Sequence, residues 1–133
     1  VVGSACDHRP QPQELLENWI DGSYYTVGGS GRVIPPKTVS ILEGLQGRGI
    51  TTRFSASSHV SDVVEVMRGA DVVLICGGAT TTESVDRTSL ALDQDHLIKE
   101  AAAAAHSLGL PSVVVALAPG SITAGWRHKT TAA

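Results

Sequence analysis

One junction constrains this chain more than any other. The run Ala70-Asp71-Val72-Val73-Leu74-Ile75-Cys76-Gly77-Gly78 breaks directly into the polar, acidic stretch Thr80-Thr81-Thr82-Glu83-Ser84-Val85-Asp86-Arg87. The run has the near-continuous aliphatic and β-branched character of a parallel strand covered on both faces. In open α/β sheets, ligands bind in the crevice beyond the carboxyl ends of the strands. The stretch that follows is therefore placed to present Glu83 to a ligand, with Arg87 expected to hold a neighbouring acid in position.

The rest of the chain alternates in the same manner. Val1-Val2-Gly3-Ser4 reads as the tail of a strand rather than a secretory signal, and Cys6 to Arg32 is irregular, with a short helix over Glu14–Ile20. A helix is predicted from near Thr38, with Val39, Ile41, Leu42 and Leu45 on its apolar face and Gly47 and Gly49 ending it. Ile50–Phe54 alternates like a strand. Ser61-Asp62 is a candidate cap for a helix burying Val63, Val64, Val66 and Met67, which Gly69 stops. Asp95–Leu108 is a helix carried by Ala101–Ala105, with Gly109 as a left-handed cap, and Ser112–Leu117 is the last clear strand. This alternation predicts an α/β fold, a mostly parallel sheet flanked by helices in a three-layer α/β/α sandwich, incomplete at its C-terminal end. The domain is expected over residues 1–126, with 127–133 a disordered tail, and the whole is expected to be a piece of a larger protein.

With 133 residues and a net charge of −3, the chain fits one domain. Such a domain buries roughly two-thirds of its unfolded surface. No basic block points to nucleic acid and no basic amphipathic stretch to a membrane surface. The longest apolar segments fall well short of the ~20 residues that span a bilayer. Cys6 and Cys76 are too distant in sequence for a local metal motif and each follows a predicted strand. Two free, buried thiols are the favoured reading, with a disulfide left open. The compartment is left open as well.

Three groups of residues offer chemistry. Gly28-Gly29-Ser30-Gly31-Arg32 could turn backbone N–H groups toward an anion, but it has neither the Gly-x-Gly-x-x-Gly spacing nor a Gly-Lys-Ser/Thr ending. A structural turn, or a surface against a sugar or another domain, is the better account. Glu83, Asp86 and Arg87 fit the acid half of a glycosidase that retains configuration, which needs a second carboxylate about 5–5.5 Å away as nucleophile. Partial burial would raise such a glutamate toward neutrality. On residue types alone, a solvated loop pinned by an Asp86–Arg87 pair is the simpler alternative. Ser30, His59 and Asp62 make no convincing triad, and His8, His96, His106 and His128 lack metal-ligand spacing. Trp19, Tyr24, Tyr25 and Trp126 could each stack on a sugar ring, though packing explains any one of them.

Taken together, the motifs resemble the second, α/β-sandwich domain of glycoside hydrolase family 3, the family of β-glucosidases and β-xylosidases. The resemblance rests on Val1–Ala5, on Gly28–Val33 followed by Val39–Leu45, on Ala70–Val73 through Glu83, Asp86-Arg87, Leu90–Leu92, Gln94-Asp95 and Leu97-Ile98, and on Val113–Val115 with Pro119-Gly120 and Trp126. It implies that Glu83 is the general acid/base, that Asp86 and Arg87 shape the acidic loop, and that Gly28, Gly29 and Ser30 lie near the aglycone side of the substrate. It further implies a β-glucoside or oligosaccharide substrate and a partner, a preceding TIM-barrel domain that supplies the nucleophilic Asp. No metal or organic cofactor is implied, and relatives are often secreted or vacuolar. Ser84 departs from the pattern, standing where many members have Gly. Leu92-Asp93-Gln94 is shorter than the usual turn, and the family's further strands do not follow Trp126. Two rival readings are a non-catalytic α/β module that binds carbohydrate or another subunit, and a nucleotide-binding domain using Gly28–Gly31.

Overall fold

The computed structural model describes residues 1–127 apart from positions 11 and 18. In chain order its elements are a 3-10 turn (Ser4–Asp7), α1 (Pro12–Glu17), α2 (Ile41–Gln46), α3 (Val60–Met67), β1 (Val73–Gly78), α4 (Asp95–Ser107) and β2 (Ser112–Leu117). Beyond Arg127, the tail expected to be disordered lies outside the described residues.

β1 and β2 run parallel, in register from Val73 opposite Ser112 to Gly78 opposite Leu117. Val2 extends the sheet on the other side of β1, bridging in parallel to both Ile75 and Ser55. The order across the sheet is therefore Ser55, Val2, β1, β2. The chain leaves Val2 for one edge and leaves β1 for the other, so the gap between these two central segments is a topological switch point.

The expected strand at Ile50–Phe54 is corrected: the segment forms no ladder and meets the sheet through Arg53 and Ser55. A strand needs a run of successive backbone pairs, and in this parallel register Val2 stands opposite Ser55, with Gly3, at φ +100°, turning the chain beyond it. What pairing exists is made by the Val1 ammonium to Arg53 O (2.9 Å), the Ser55 N–H to Val1 O (3.1 Å) and the Gly3 N–H to Ser55 O (3.0 Å).

Side chains on β1 alternate between two cores, as the two-residue period of a strand demands. Val73 and Ile75 join Val2, Val63, Met67, Ile98 and the buried alanines of α4. On α4, Leu97, Ile98, Ala101, Ala102 and Ala105 form one stripe at helical spacing. Gly109, at φ +70°, closes that helix, with the Leu110 N–H reaching Ala105 O at 2.9 Å. Trp126 is only 8% exposed and belongs to this core, so it packs rather than stacking on sugar.

The opposite face is smaller, with Ala5, Cys6 and Cys76 buried and Val1, Tyr24, Ile41, Phe54, Leu74 and Val115 packed around them. Here the favoured reading of two free thiols is overturned. Cys6 and Cys76 form a disulfide, with Cα atoms 5.1 Å apart, inside the range such bonds span. Val2 and Ile75 are bridge partners, and the 3-10 turn brings Cys6 back over the next residue of β1. Sequence distance hid a contact between adjacent strands.

Two helix starts are also corrected. α2 begins at Ile41 because Ser40 caps it, its hydroxyl accepting from the Glu43 N–H at 3.0 Å. Val39, expected on the apolar face, precedes the helix and is 51% exposed. α3 begins at Val60, and Asp62 sits in its first turn, accepting from the Ser57 hydroxyl at 2.8 Å instead of capping.

Candidate functional site

Both candidate loops lie at the carboxyl end of the sheet, one on each side of the switch point. The acidic loop leaves β1 at Gly78 and returns to the same residue. The Asp93 N–H donates to Gly78 O at 2.9 Å, and the Gly78 N–H donates to Gln94 Oε1 at 2.8 Å. Tyr24, from the glycine-rich segment, ties this closure to the other loop. Its hydroxyl donates to Asp93 Oδ2 at 3.1 Å and accepts from Gln94 Nε2 at 2.9 Å. Burial pushes the Tyr24 hydroxyl above the ordinary tyrosine range, Gln94 opposes this, and Asp93 adds to it. Gly78 is required here, since a Cβ would overlap the Tyr24 ring.

The two loops then run side by side. The Gly28 N–H donates to Thr81 O (3.0 Å) and the Glu83 N–H donates to Gly28 O (3.1 Å), while the Gly29 N–H reaches Trp19 O at 2.8 Å. The Thr82 hydroxyl donates to Ile20 O. Gly29 is left-handed at φ +93°, and any side chain there would strike the Cβ of Glu83. Gly28 and Gly29 thus serve the close approach of the two loops.

Glu83 emerges fully exposed from this pair of loops. Its Oε2 accepts from both the Ser30 N–H (2.7 Å) and the Ser30 hydroxyl (2.6 Å). No hydrogen bond reaches its Oε1 among the described residues. The Ser30 hydroxyl, then the Ser30 N–H, hold the carboxyl below the usual glutamate range, with slight desolvation opposing. Stabilising the ionised form by hydrogen bonds is the ordinary cause of such a lowering. The direction is opposite to that expected of a resting general acid. Ser84, the next residue, is the one non-glycine with positive φ (+65°) among the described residues, a conformation Gly adopts with no Cβ penalty.

Of the sequence-predicted residues, the structure brings Gly28, Gly29, Ser30 and Glu83 together. Asp86 and Arg87 instead border a cavity of about 560 Å³ with Thr81, Thr82, Ser84 and Pro119, a lining that does not include Glu83. The expected pairing of Arg87 with a neighbouring acid is corrected: its guanidinium donates to Ala91 O at 2.8 Å. The positive φ of Ser84 and the antiparallel Thr82–Val85 bridge turn the chain sharply here. A carbonyl four residues on is then the partner within reach. Arg87 shapes the loop through backbone rather than through Asp86.

No Ser30–His59–Asp62 triad forms, because Ser30 is engaged by Glu83 and Asp62 by Ser57. Among the described residues, no group of three His, Cys, Asp or Glu side chains could hold a metal ion, and no helix is long and apolar enough to cross a membrane. Trp19 stays 53% exposed beside Gly29, while Tyr24 is spent on the loop clamp. Sequence reasoning missed the Tyr24–Asp93–Gln94 clamp. Its members are 69 and 70 residues apart, and nothing local in the sequence signals them.

Known proteins share this architecture. A β-D-glucoside glucohydrolase from Trichoderma reesei superposes with a TM-score of 0.75 at 21% identity, over 97% of this chain and 20% of its own. A glycoside hydrolase family 3 β-glucosidase from Neurospora crassa gives 0.68 at 20% identity, covering 91% and 16%. In sequence, the chain is 31% identical over 128 residues to exo-α-(1→6)-L-arabinopyranosidases of Bifidobacterium longum and Bifidobacterium breve. That match covers 85% of this chain and spans only 16% of each relative's length. The family description that matches residues 1–133 is the glycosyl hydrolase family 3 C-terminal domain. This chain, from its first strand to its last residue, belongs to that family of C-terminal domains.

Proposed function

We propose that this chain supplies the acid/base half of a retaining exo-glycosidase that releases terminal β-linked glucose or a related sugar. In this reading a preceding TIM-barrel domain contributes the nucleophilic Asp. The observation that carries it is Glu83, a fully exposed carboxylate on a loop beyond the carboxyl end of β1, with Oε1 free of hydrogen bonds among the described residues. Ligands of open α/β sheets bind in this crevice.

The barrel carboxylate would attack the anomeric carbon as the bond to the leaving oxygen breaks. Glu83 would give its proton to that oxygen. In the second half, Glu83 would take a proton from water while the water oxygen displaces the enzyme carboxylate from the sugar. Asp86 and Arg87 would maintain the loop, and Gly28, Gly29 and Ser30 would border the aglycone. By itself the chain would hold one carboxylate of the pair and be inactive. The arabinopyranosidase relatives argue for a terminal glycoside as substrate class and leave glucose as one member of it.

The lowered pKa of Glu83 favours a second reading, in which the domain binds carbohydrate or another subunit without catalysis. Hydrolysis of a chromogenic aryl β-glucoside separates the two. The chain alone should show no turnover. Joined to its barrel it should turn over, and Glu83→Gln should lower the rate by about 10²–10⁴-fold, the usual worth of a positioned acid/base. Full activity of Glu83→Gln would sink the catalytic reading. Sugar binding without turnover in the joined protein would establish the second.

A further inference from the structure

We propose that Ser30 is a positioning residue that grips Glu83 by Oε2 and so makes Oε1 the oxygen that exchanges the catalytic proton. The inference rests on the reading of Glu83 as acid/base and deepens it. Both donors of Ser30, its N–H at 2.7 Å and its hydroxyl at 2.6 Å, fall on the same oxygen, across 53 residues of sequence. Hydrogen bonds to an ionised carboxylate are short and about twice as strong as neutral ones. An oxygen that already accepts two of them is the poorer base, so a proton goes to Oε1.

The surrounding loop is built for this grip. The Glu83 N–H bonds to Gly28 O, Gly28 pairs with Thr82, and Gly29 carries no Cβ where Glu83 passes. A casual surface hydrogen bond would not need a left-handed glycine beneath it. Orientation matters because a small displacement of a reacting group can cost about 10²-fold in rate.

The contact also sets protonation. Besides Glu83, the ionisable groups on the two loops are Asp21, Tyr24, Tyr25 and Arg32 on one side and Asp86, Arg87 and Asp93 on the other. None of these contributes to the lowering at Glu83, which comes from Ser30. A retaining glycosidase puts a second carboxylate about 5–5.5 Å away, and that like charge raises the partner's pKa. Ser30 opposes the rise, keeping Glu83 able to return as a base in the second half-reaction. Because the acid must be protonated for the first step, its ionisation forms the alkaline limb of kcat/KM. Removing the Ser30 hydroxyl raises the Glu83 pKa, and that limb moves to higher pH.

The test uses the full parent glycosidase with Ser30→Ala and Ser30→Thr, an aryl β-glucoside, and carbon-13 titration of the Glu83 carboxyl. In Ser30→Ala the alkaline limb and the carboxyl midpoint should both move upward. Its kcat should fall about tenfold with KM within about twofold, as expected for lost orientation. Ser30→Thr, which keeps a hydroxyl, should restore both. Coincident titration curves for wild type and Ser30→Ala would overturn the proposal. If Glu83→Gln stays active, the catalytic reading fails, while the carboxyl titration still decides whether Ser30 grips Glu83.

Discussion

The two faces of the sheet are held by different physics. On one, α3 and α4 press Val63, Met67, Ile98 and a stripe of alanines against Val73 and Ile75, and water is excluded over a continuous apolar layer. On the other, the buried apolar cluster is Ala5, Cys6 and Cys76, and a disulfide, a tyrosine clamp and close glycine contacts replace bulk. Two adjacent glycines of β1 record the contrast. A Cβ on Gly77 would meet Ile98 and Leu92, whereas one on Gly78 would meet the ring of Tyr24. Loops rich in backbone polar groups cannot lie on a thick apolar layer without losing hydrogen bonds. A covalent tie lets this face stay thin while it carries the loop that Glu83 needs.

Breaking that tie is the strongest test of the contrast. Replacing both cysteines by Ala opens a link between residues 70 apart in sequence. Chain entropy predicts a loss of about 4 kcal/mol for a loop of this length, measured by urea unfolding. Ile98→Ala, on the other face, should cost about 3 kcal/mol by leaving a cavity under α4. If the faces are independent, the combined variant should lose the sum to within about 0.5 kcal/mol. A larger coupling would mean that the disulfide organises the helical core as well. The smallest effect has the opposite sign. Ser84→Gly relieves a left-handed residue and should stabilise the chain by about 0.5–1 kcal/mol. An unchanged unfolding midpoint would show that Ser84 is not strained.

What could be read from sequence was whatever is decided locally. β2 matches its expected span and α4 ends one residue short of it, because a β-branched run and an alanine-rich stripe each have one good solution. Glu83 was legible as a candidate because it follows a strand that could only be buried. Residue pairs settled by topology were not legible. Cys6 meets Cys76 because Val2 inserts beside β1, and Ser30 meets Glu83 because Gly28 bridges to Thr82. Ile50–Phe54 has a strand's alternation, yet a strand also needs a neighbouring chain in register, and among the described residues that pairing is made at Arg53 and Ser55. Asp86 and Arg87 are adjacent in sequence, and the turn at Ser84 gives Arg87 a carbonyl instead.

The direction of the first strand carries a consequence for how a second domain is tethered. Val1–Val2 runs parallel to β1, so a polypeptide leading into Val1 joins the sheet at the end opposite the acidic loop. β1 spans six residues, which is about 20 Å at ~3.3 Å each. Val2 pairs with Ile75, so a barrel placed ahead of Val1 and facing Glu83 needs a connection that climbs about 13 Å of that height, about four extended residues. Once the tether outgrows that span, the local concentration of barrel over Glu83 falls with its length. The spacer between the domains, though far from any reacting atom, would then tune how often the proposed pair of carboxylates meets.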